Sequence, residues 1–391
     1  MSFLRAARAA LAGQNCLPRI LVAVVAVVVL AGLSLSCGSS SHSTSGHNHN
    51  AYITLPARGS VLLLHINGAT GAITLGAETP QVQNTSPTGI ALLPSKKFLY
   101  AINSSSHADS ISIFNVASDG TLALSGTPTP AGAGPSDAVI DPSGKYLLVT
   151  NNFGNNVSVY SIDASSGALS EVTGSPFPAN NNPAEILITP SGKFVYVTNP
   201  GIGMVTAFTF SNGVLTQLPT SPVSSGAGAF GLAVDGSEQF LYVANPSARN
   251  PPPSSTTGNI SGFTITSTGA LTPILGSPFT VTNGNGPSAI TVDPSGKYVY
   301  ATTAGSSFSI WCFTITPANG QLVAVTNSPF SLTGGGLFAL FDPSGNYLYI
   351  GSQDANGIAG YTYDPSTGAP TAIAGSPFST VVAPGKMVLS E

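Results

Sequence analysis

The chain has 391 residues, of which only 7% are charged, with 11 Lys and Arg against 15 Asp and Glu. About a quarter of the residues of an average soluble domain are charged, so this surface is built mainly from uncharged polar side chains. So few cations, without a basic cluster, exclude a basic nucleic-acid-binding protein. Gly and Pro are frequent, but 42% hydrophobic residues can form a core, so the chain is not predicted to be disordered.

Residues 1–36 are predicted to be a signal peptide. Arg5, Arg8 and Arg19 precede an uncharged run from Ile20 to Leu33, which small residues follow. A positive start, an apolar run of this length and a small-residue end are typical of secretory signals. The run is shorter than the ~20 residues that span a membrane as a helix, which disfavours an uncleaved anchor.

The end of this segment indicates how the chain is processed. Leu33-Ser34-Leu35-Ser36-Cys37 resembles the box of bacterial lipoproteins, in which the cysteine becomes the lipidated first residue. Leu33 lies four residues before Cys37, one more than usual, so ordinary cleavage stays an alternative. We expect an exported protein in the periplasm or at the cell surface, with Cys37 as the lipidation candidate and as its only link to the membrane.

Residues 37–50 are rich in Ser, His, Asn and Gly, which predicts a flexible tether. His42, His47 and His49 lack a neighbouring carboxylate and a fixed backbone, so we expect no metal site there. Beyond the tether the only cysteine is Cys312, which excludes an intramolecular disulfide in the mature chain.

An aromatic column repeats along the rest of the chain. Its members are Tyr52, Tyr100, Leu148, Tyr196, Tyr242, Tyr300 and Tyr349. Glycine and proline columns keep the same register: Gly71, Gly120, Gly167, Gly213, Gly269, Gly320 and Gly368, and Pro80, Pro128, Pro176, Pro222, Pro278, Pro329 and Pro377. The spacing is near 48 residues except for one interval of 58, where residues are inserted between Asn245 and Ile260. Seven copies of one structural unit are therefore predicted.

Each unit is predicted to contain four short antiparallel strands, A to D. One unit has them at Glu185–Thr189, Phe194–Asn199, Val205–Phe210 and Leu215–Leu218. The string Asp-Pro-Ser-Gly, which begins at Asp141, suits a type I turn between strands A and B. Four-stranded units without a helical pattern indicate an all-β fold, a seven-bladed β-propeller; a solenoid is the competing repeat fold.

The two ends of the repeats predict how the ring closes. Tyr52 opens with strand B, and the missing strand A is found at the far end, as Lys386-Met387-Val388-Leu389. Strands B, C and D of the N-terminal repeat should therefore share a blade with this C-terminal strand A, within a propeller of residues 51–391. A closed ring has none of the exposed ends that a solenoid must cap.

The motifs also resemble a known family. Tyr196-Val197-Thr198-Asn199 is the namesake string of the YVTN-repeat propellers. The wider pattern, Asp-Pro-Ser-Gly-Lys-Tyr-x-x-Val-Thr-Asn with a later Gly-Ala-Leu, is similar to that of the seven-bladed lactonase family related to 6-phosphogluconolactonase. The resemblance covers about residues 51–391 and implies hydrolysis of a sugar lactone.

This chain departs from the family at its catalytic positions. The relatives place Arg or His just after the Pro that leads into strand A, where this chain has Ser136, Ala184 and Ser288. The relatives also tend to end a strand B with Asn-Glu, where this chain has Asn152, Pro200 and Pro246 after the Asn. No catalytic residue is therefore carried over from the resemblance.

Most charged residues recur in the A–B and C–D turns, where a turn-forming role explains them. The exceptions are Asp137, Glu185 and Lys386 at the starts of A strands, and His107, Asp109, Arg249 and Asp354 in B–C loops. In a propeller strand A lines the channel, and the D–A and B–C connections share one face, so these side chains are predicted to gather at the channel mouth. The ligand-binding candidates are Asp137, Glu185, Lys386, His107, Arg249 and Asp354. The competing interpretation is that hydrated channels tolerate scattered charges.

Two functions stay open on the sequence alone. The first is a ligand-binding or protein-interaction module of the cell envelope, which holds a small polar ligand or a protein partner at the channel mouth. The second is a sugar-lactone hydrolase, as the resemblance implies. We expect a monomer with no cofactor, no metal and no nucleic-acid partner; Cys312 lies inside a strand and is expected to be a buried, inert thiol.

Overall fold

The computed structural model describes residues 47–82, 85–105, 109–246, 258–282, 286–303, 308–352 and 354–390. These residues form strands joined by turns, and their one helix is a 3-10 turn at Pro56–Arg58. In chain order the strands are β1 His49–Leu55, β2 Ser60–Ile66, β3 Ile73–Glu78, β4 Pro87–Leu92, β5 Phe98–Asn103, β6 Ser110–Val116, β7 Leu122–Leu124, β8 Thr129–Pro130, β9 Pro135–Ile140, β10 Tyr146–Asn151, β11 Asn156–Ile162, β12 Leu169–Glu171, β13 Phe177–Pro178, β14 Ile186–Ile188, β15 Phe194–Asn199, β16 Met204–Ser211, β17 Val214–Gln217, β18 Val223–Ser224, β19 Leu232–Val234, β20 Phe240–Asn245, β21 Gly258–Ile265, β22 Leu271–Pro273, β23 Phe279–Val281, β24 Pro287–Val292, β25 Tyr298–Thr303, β26 Ser309–Ile315, β27 Leu322–Ala324, β28 Phe330–Ser331, β29 Gly336–Phe341, β30 Tyr347–Ser352, β31 Gly357–Tyr363, β32 Pro370–Ala372, β33 Phe378–Ser379 and β34 Met387–Leu389.

The strands pair into seven antiparallel sheets, the blades of a propeller. In six blades four consecutive strands pair in the order A to D, as in β4-β5-β6-β7, whereas the closing blade has the order β3-β2-β1-β34. There Ala51 pairs with Leu389 and Tyr52 with Val388, so the last strand completes the first blade. The predicted seven-bladed all-β propeller and its closure are confirmed.

The aromatic and glycine columns meet between blades. The Tyr100 hydroxyl donates to the Gly167 carbonyl oxygen of the next blade at 3.0 Å, and Tyr242 donates to Gly320 at 2.8 Å. Tyr52, Tyr196, Tyr300 and Tyr349 make the same bond to Gly120, Gly269, Gly368 and Gly71. Each of these glycines has a positive φ, which glycine adopts without strain and which turns its carbonyl toward the neighbouring blade.

The aspartates of the A–B turns accept hydrogen bonds from backbone N–H groups of their own turns. Asp141 Oδ1 accepts the N–H groups of Lys145 and Tyr146 at 2.8 and 2.6 Å, and its Oδ2 accepts that of Ser143 at 3.1 Å. Asp235 and Asp293 repeat the arrangement in their own turns, and Asp342 accepts the N–H groups of Ser344 and Tyr347. The turn-forming role predicted for these charges is what the hydrogen bonds show.

Six blades carry an additional short strand after the proline column. In one of them β13 pairs with β11, beyond the end of strand D. The serine before the proline prepares this pairing, since Ser175 Oγ accepts the Val159 N–H at 2.9 Å and Ser221 Oγ accepts that of Ala207 at 2.7 Å. In these six blades the chain after the proline therefore returns to pair with strand C, which the sequence analysis did not predict.

The chain enters the ring at His49, two residues before the predicted start of the propeller, because His49 and Asn50 pair with Ile66 and His65. The predicted signal peptide, Cys37 and most of the predicted tether lie outside the described residues. Among the residues that the structure does describe, no helix has the length and apolar character to cross a membrane.

Candidate functional site

Three charged side chains from distant repeats meet in the channel. Lys386 Nζ lies 2.5 Å from Glu185 Oε1 and 4.0 Å from Asp137 Oδ1. The three side chains are largely buried, with exposed fractions of 24%, 16% and 12% for Lys386, Glu185 and Asp137. The sequence predicted that these residues converge, and the structure brings them together.

A threonine on strand B positions each of the three charges. The hydroxyl oxygens of Thr54, Thr150 and Thr198 accept the backbone N–H groups of Lys386, Asp137 and Glu185 at 2.9, 3.1 and 3.1 Å. The Thr150 hydroxyl also donates to the Ala184 carbonyl oxygen at 2.8 Å, which links the Asp137 and Glu185 strands. Sequence reasoning missed these threonines, although each directly faces a charged residue across the A–B pairing.

Burial and the neighbouring charges shift the pKa values of Asp137 and Lys386. Burial raises the pKa of the Asp137 carboxyl to about 7; the Lys386 ammonium opposes this rise and Glu185 adds to it. Burial by itself would lower the pKa of Lys386, but Asp137 and Glu185 outweigh it and raise that pKa to about 12. Near neutral pH the site therefore holds a permanent cation beside a carboxyl group that can both take up and release a proton.

Two adjoining cavities lie at this site. The channel cavity, of about 240 Å³, is lined by all three charged residues and by apolar strand A residues such as Ile90 and Ile290. The mouth cavity, of about 650 Å³, is lined by residues of the D–A and B–C connections and by residues near the starts of A strands. Lys386, Ser288 and Leu337 line both cavities. The larger one is within the ~300–1,000 Å³ typical of small-molecule sites.

The remaining candidates divide into two groups. Asp354 lines the mouth cavity, where its Oδ2 accepts the Gly335 N–H at 3.1 Å. Asp109 likewise fixes a loop, since its Oδ2 accepts the Gly134 N–H at 2.6 Å. His107 and Arg249 lie outside the described residues.

Two of the three positions at which the resemblance implies Arg or His hold blades together in this chain. Ser136 Oγ donates to the Ala184 carbonyl oxygen of the next blade at 3.0 Å, and Ser288 Oγ donates to that of Gly336 at 2.6 Å. These serines thus fasten the strand A ends that carry the site, and their hydroxyl hydrogens are already engaged by backbone.

Other chemistry-bearing residues lie apart from the mouth. Cys312 is fully buried as expected, its thiol donates to the Gly368 carbonyl oxygen at 3.3 Å, and burial raises its pKa to about 12. A third cavity, of about 530 Å³, lies at the opposite end of the closing blade beside His49, His65 and Lys96. Within the described part of the chain, no three His, Cys, Asp or Glu residues are arranged to hold a metal ion.

Comparison with known proteins identifies the type of propeller. The model of the family described as "Lactonase, 7-bladed beta-propeller" matches residues 42–176, 172–274 and 254–383. Lys386 lies three residues beyond the end of the last matched segment. No curated protein matches the chain.

Solved structures with the same fold come from several bacteria. A Bacteroides fragilis protein provisionally named a 6-phosphogluconolactonase is 21% identical and has a TM-score of 0.72, over 90% of this chain and 100% of that chain. A similarly named Bacteroides uniformis protein is 21% identical with a TM-score of 0.71, over 88% and 99% of the chains. The Pseudomonas aeruginosa periplasmic gluconolactonase PpgL is 17% identical with a TM-score of 0.70, also over 88% and 99%. At these identities the likeness concerns the fold.

Proposed function

We propose that this chain, which belongs to the lactonase family of seven-bladed β-propellers, hydrolyses a lactone at the channel mouth. The observation that carries the proposal is the contact between Lys386 and two carboxylates, one of which has a pKa raised to about 7. Family membership indicates the type of reaction, and the three charges supply an acid–base group and a cation where a small molecule fits.

Asp137 is the proposed general base. Its ionised carboxylate accepts a proton from a water molecule whose oxygen forms a bond to the lactone carbonyl carbon. The ring C–O bond then breaks, and the leaving alkoxide takes up the proton from the Asp137 carboxyl group, which gives a hydroxy acid. A carboxylate with a pKa near the working pH is suited to both transfers.

Lys386 is the proposed electrostatic stabiliser. An ammonium group has three N–H donors, of which Glu185 Oε1 accepts one at 2.5 Å. A further donor can bind the oxyanion that develops on the carbonyl oxygen, in surroundings from which most water is excluded. Glu185 is a positioning residue, because it orients the ammonium and favours its charged form.

A second candidate is a non-catalytic module that binds a small polar ligand or a protein partner at the same mouth. It is favoured by Ser136, Ala184 and Ser288, which stand where relatives carry Arg or His. A site without those residues can retain affinity while lacking turnover.

One assay separates the two candidates. The purified full chain is incubated with neutral and phosphorylated lactones, and acid release is followed above the spontaneous rate. Saturable hydrolysis that the Asp137→Asn substitution abolishes supports the enzyme. Saturable binding of a lactone without turnover would instead favour the binding module.

We further propose that the protein is exported, as residues 1–37 predict. The described chain begins beside its C-terminal end, where the Ser390 N–H donates to the Asn50 carbonyl oxygen at 2.8 Å. Lys386 is at the other end of the same strand pair, so this junction lies apart from the three charges. Fractionation of cells that express the wild type or Cys37→Ser tests both export and lipid attachment.

A further inference from the structure

The wall of the mouth cavity is mainly apolar. Apolar residues from three separate connections and from strand β29 line it: Pro56, Ala57, Phe230, Leu337, Ala383 and Pro384. The cavity has more than twice the volume of the adjoining channel cavity, at about 650 against 240 Å³. A ligand that reaches the three charges therefore extends through an apolar vestibule.

The polar side chains of this wall already have partners within the protein. The Thr88 hydroxyl donates to the Pro135 carbonyl oxygen at 3.1 Å, and Ser288 donates to the Gly336 carbonyl oxygen at 2.6 Å. Asp354 accepts the Gly335 N–H, and Lys386 is paired with Glu185. A sugar ring carries several hydroxyl groups that lose hydrogen bonds to water on binding, and the described residues of this wall offer few free groups to replace them.

The charges of the wall also disfavour an anionic ligand. Among the described residues that line the mouth cavity Lys386 is the only cation, and Asp354 adds a carboxylate. Lys386 is moreover already neutralised by Asp137 and Glu185. From the described lining residues alone, a phosphate would therefore meet more negative than positive charge.

We infer that the substrate is an uncharged lactone that carries an apolar substituent. Its ring would bind beside Asp137 and Lys386, and its alkyl or aryl group would fill the mouth cavity against Phe230 and Leu337. This inference rests on the proposed lactone hydrolysis and specifies the substrate class of the same site.

The homologous series δ-hexalactone, δ-octalactone and δ-decalactone tests whether the mouth cavity binds the alkyl group, since only the length of that group changes. Each methylene that the cavity buries should raise kcat/KM by roughly three- to fourfold until the cavity is filled. δ-Gluconolactone and 6-phosphogluconolactone serve as the neutral polar and the anionic comparison, and both should be hydrolysed less efficiently than δ-decalactone.

Two phenylalanines on the same face provide matched variants. Phe230 lines the cavity, whereas Phe153, which is 75% exposed, lies in a B–C loop and does not line it. Phe230→Ala should lower the ratio of kcat/KM for δ-decalactone to that for δ-hexalactone about tenfold, and Phe153→Ala should leave this ratio unchanged. Leu337→Ser is a second variant for use if Phe230→Ala unfolds.

The outcomes distinguish the two proposals. Hydrolysis of δ-gluconolactone without any gain along the alkyl series would overturn the apolar substituent and leave the proposed function intact. An equal fall of the ratio in Phe153→Ala would also contradict the assignment of the cavity. If none of the lactones is hydrolysed, the proposed function fails, and the substrate assignment fails with it.

Discussion

Tyr349 donates its hydroxyl to the Gly71 carbonyl oxygen at 2.8 Å, across 278 positions of sequence. This bond joins the last blade to the closing blade, and five other tyrosines make the same bond across five other boundaries. At the seventh boundary the column holds Leu148, which has no hydroxyl. The ring is therefore tied by one repeated hydrogen bond as well as by the pairing of β34 with β1.

Removal of one of these hydroxyls should destabilise the protein. Tyr242→Phe leaves the buried Gly320 carbonyl oxygen without this donor, and an unsatisfied buried group costs about 1–3 kcal/mol. Tyr160→Phe is the control, because its hydroxyl lies a longer 3.4 Å from its acceptor, Pro130. Urea unfolding should show the larger decrease in the free energy of unfolding for Tyr242→Phe. Equal decreases in the two variants would contradict a stabilising role for the interblade hydrogen bond.

Loss of the C-terminal strand should destabilise the whole ring. Deletion of residues 387–391 removes the pairing of Leu389, Val388 and Met387 with β1 and exposes the core side chains that pack against Met387. We expect calorimetry to show a single unfolding transition at a clearly lower temperature than that of the full chain. Deletion of residues 390–391 alone preserves β34 and should change the transition little. An unchanged transition in the longer deletion would contradict closure by this strand.

Stability should depend on pH through Asp137. Burial raises its pKa in the folded protein to about 7, above its usual value near 3.8, so the folded state binds more protons between these values. Its contribution to the free energy of unfolding is therefore present below pH ~4 and is lost as the pH rises toward 7. Asp137→Asn should flatten this part of the profile, measured by urea unfolding from pH 4 to 8. A mutant profile that falls as steeply as the wild type would exclude Asp137 as its cause.

Glu185 should act through Lys386. In Glu185→Gln the ammonium loses its closest anionic partner, and a charge-assisted hydrogen bond contributes about 1.5–3 kcal/mol. Ligand affinity or kcat/KM should fall roughly tenfold or more if Lys386 must be held in this position. Lys145→Gln, in an A–B turn, is the matched control and should leave both nearly unchanged. If Lys145→Gln loses affinity and Glu185→Gln does not, the ligand binds on the face of the A–B turns and not at the channel mouth.

Repetition made the fold predictable from sequence. The Tyr and Gly columns each recur at one place per unit, and the unpaired strands at the two ends indicated closure. That Tyr100 bonds to Gly167 was not predicted, because the contact depends on the angle between neighbouring blades. The short strand that follows six of the seven prolines was missed because its pairing needs only two or three residues, too few for a periodic pattern.

The site was predicted in part for a similar reason. Asp137, Glu185 and Lys386 share one repeat position, so the symmetry of the ring predicted their convergence. The mouth cavity was not predicted, because Phe230 and Pro384 lie in irregular connections whose paths depend on packing. Nor could the sequence reveal that the Asp137 carboxyl is buried enough for its pKa to rise.

The pH dependence of lactone hydrolysis by the wild type and by Asp137→Asn tests the central claim most directly. If Asp137 is the base, wild-type kcat/KM rises with pH through about 7, where the carboxyl group ionises. Asp137→Asn should then lose at least about 100-fold and show no such rise, while Asp163→Asn, in an exposed turn, should behave as the wild type. Hydrolysis in Asp137→Asn at the wild-type rate and with the wild-type pH profile would contradict this mechanism.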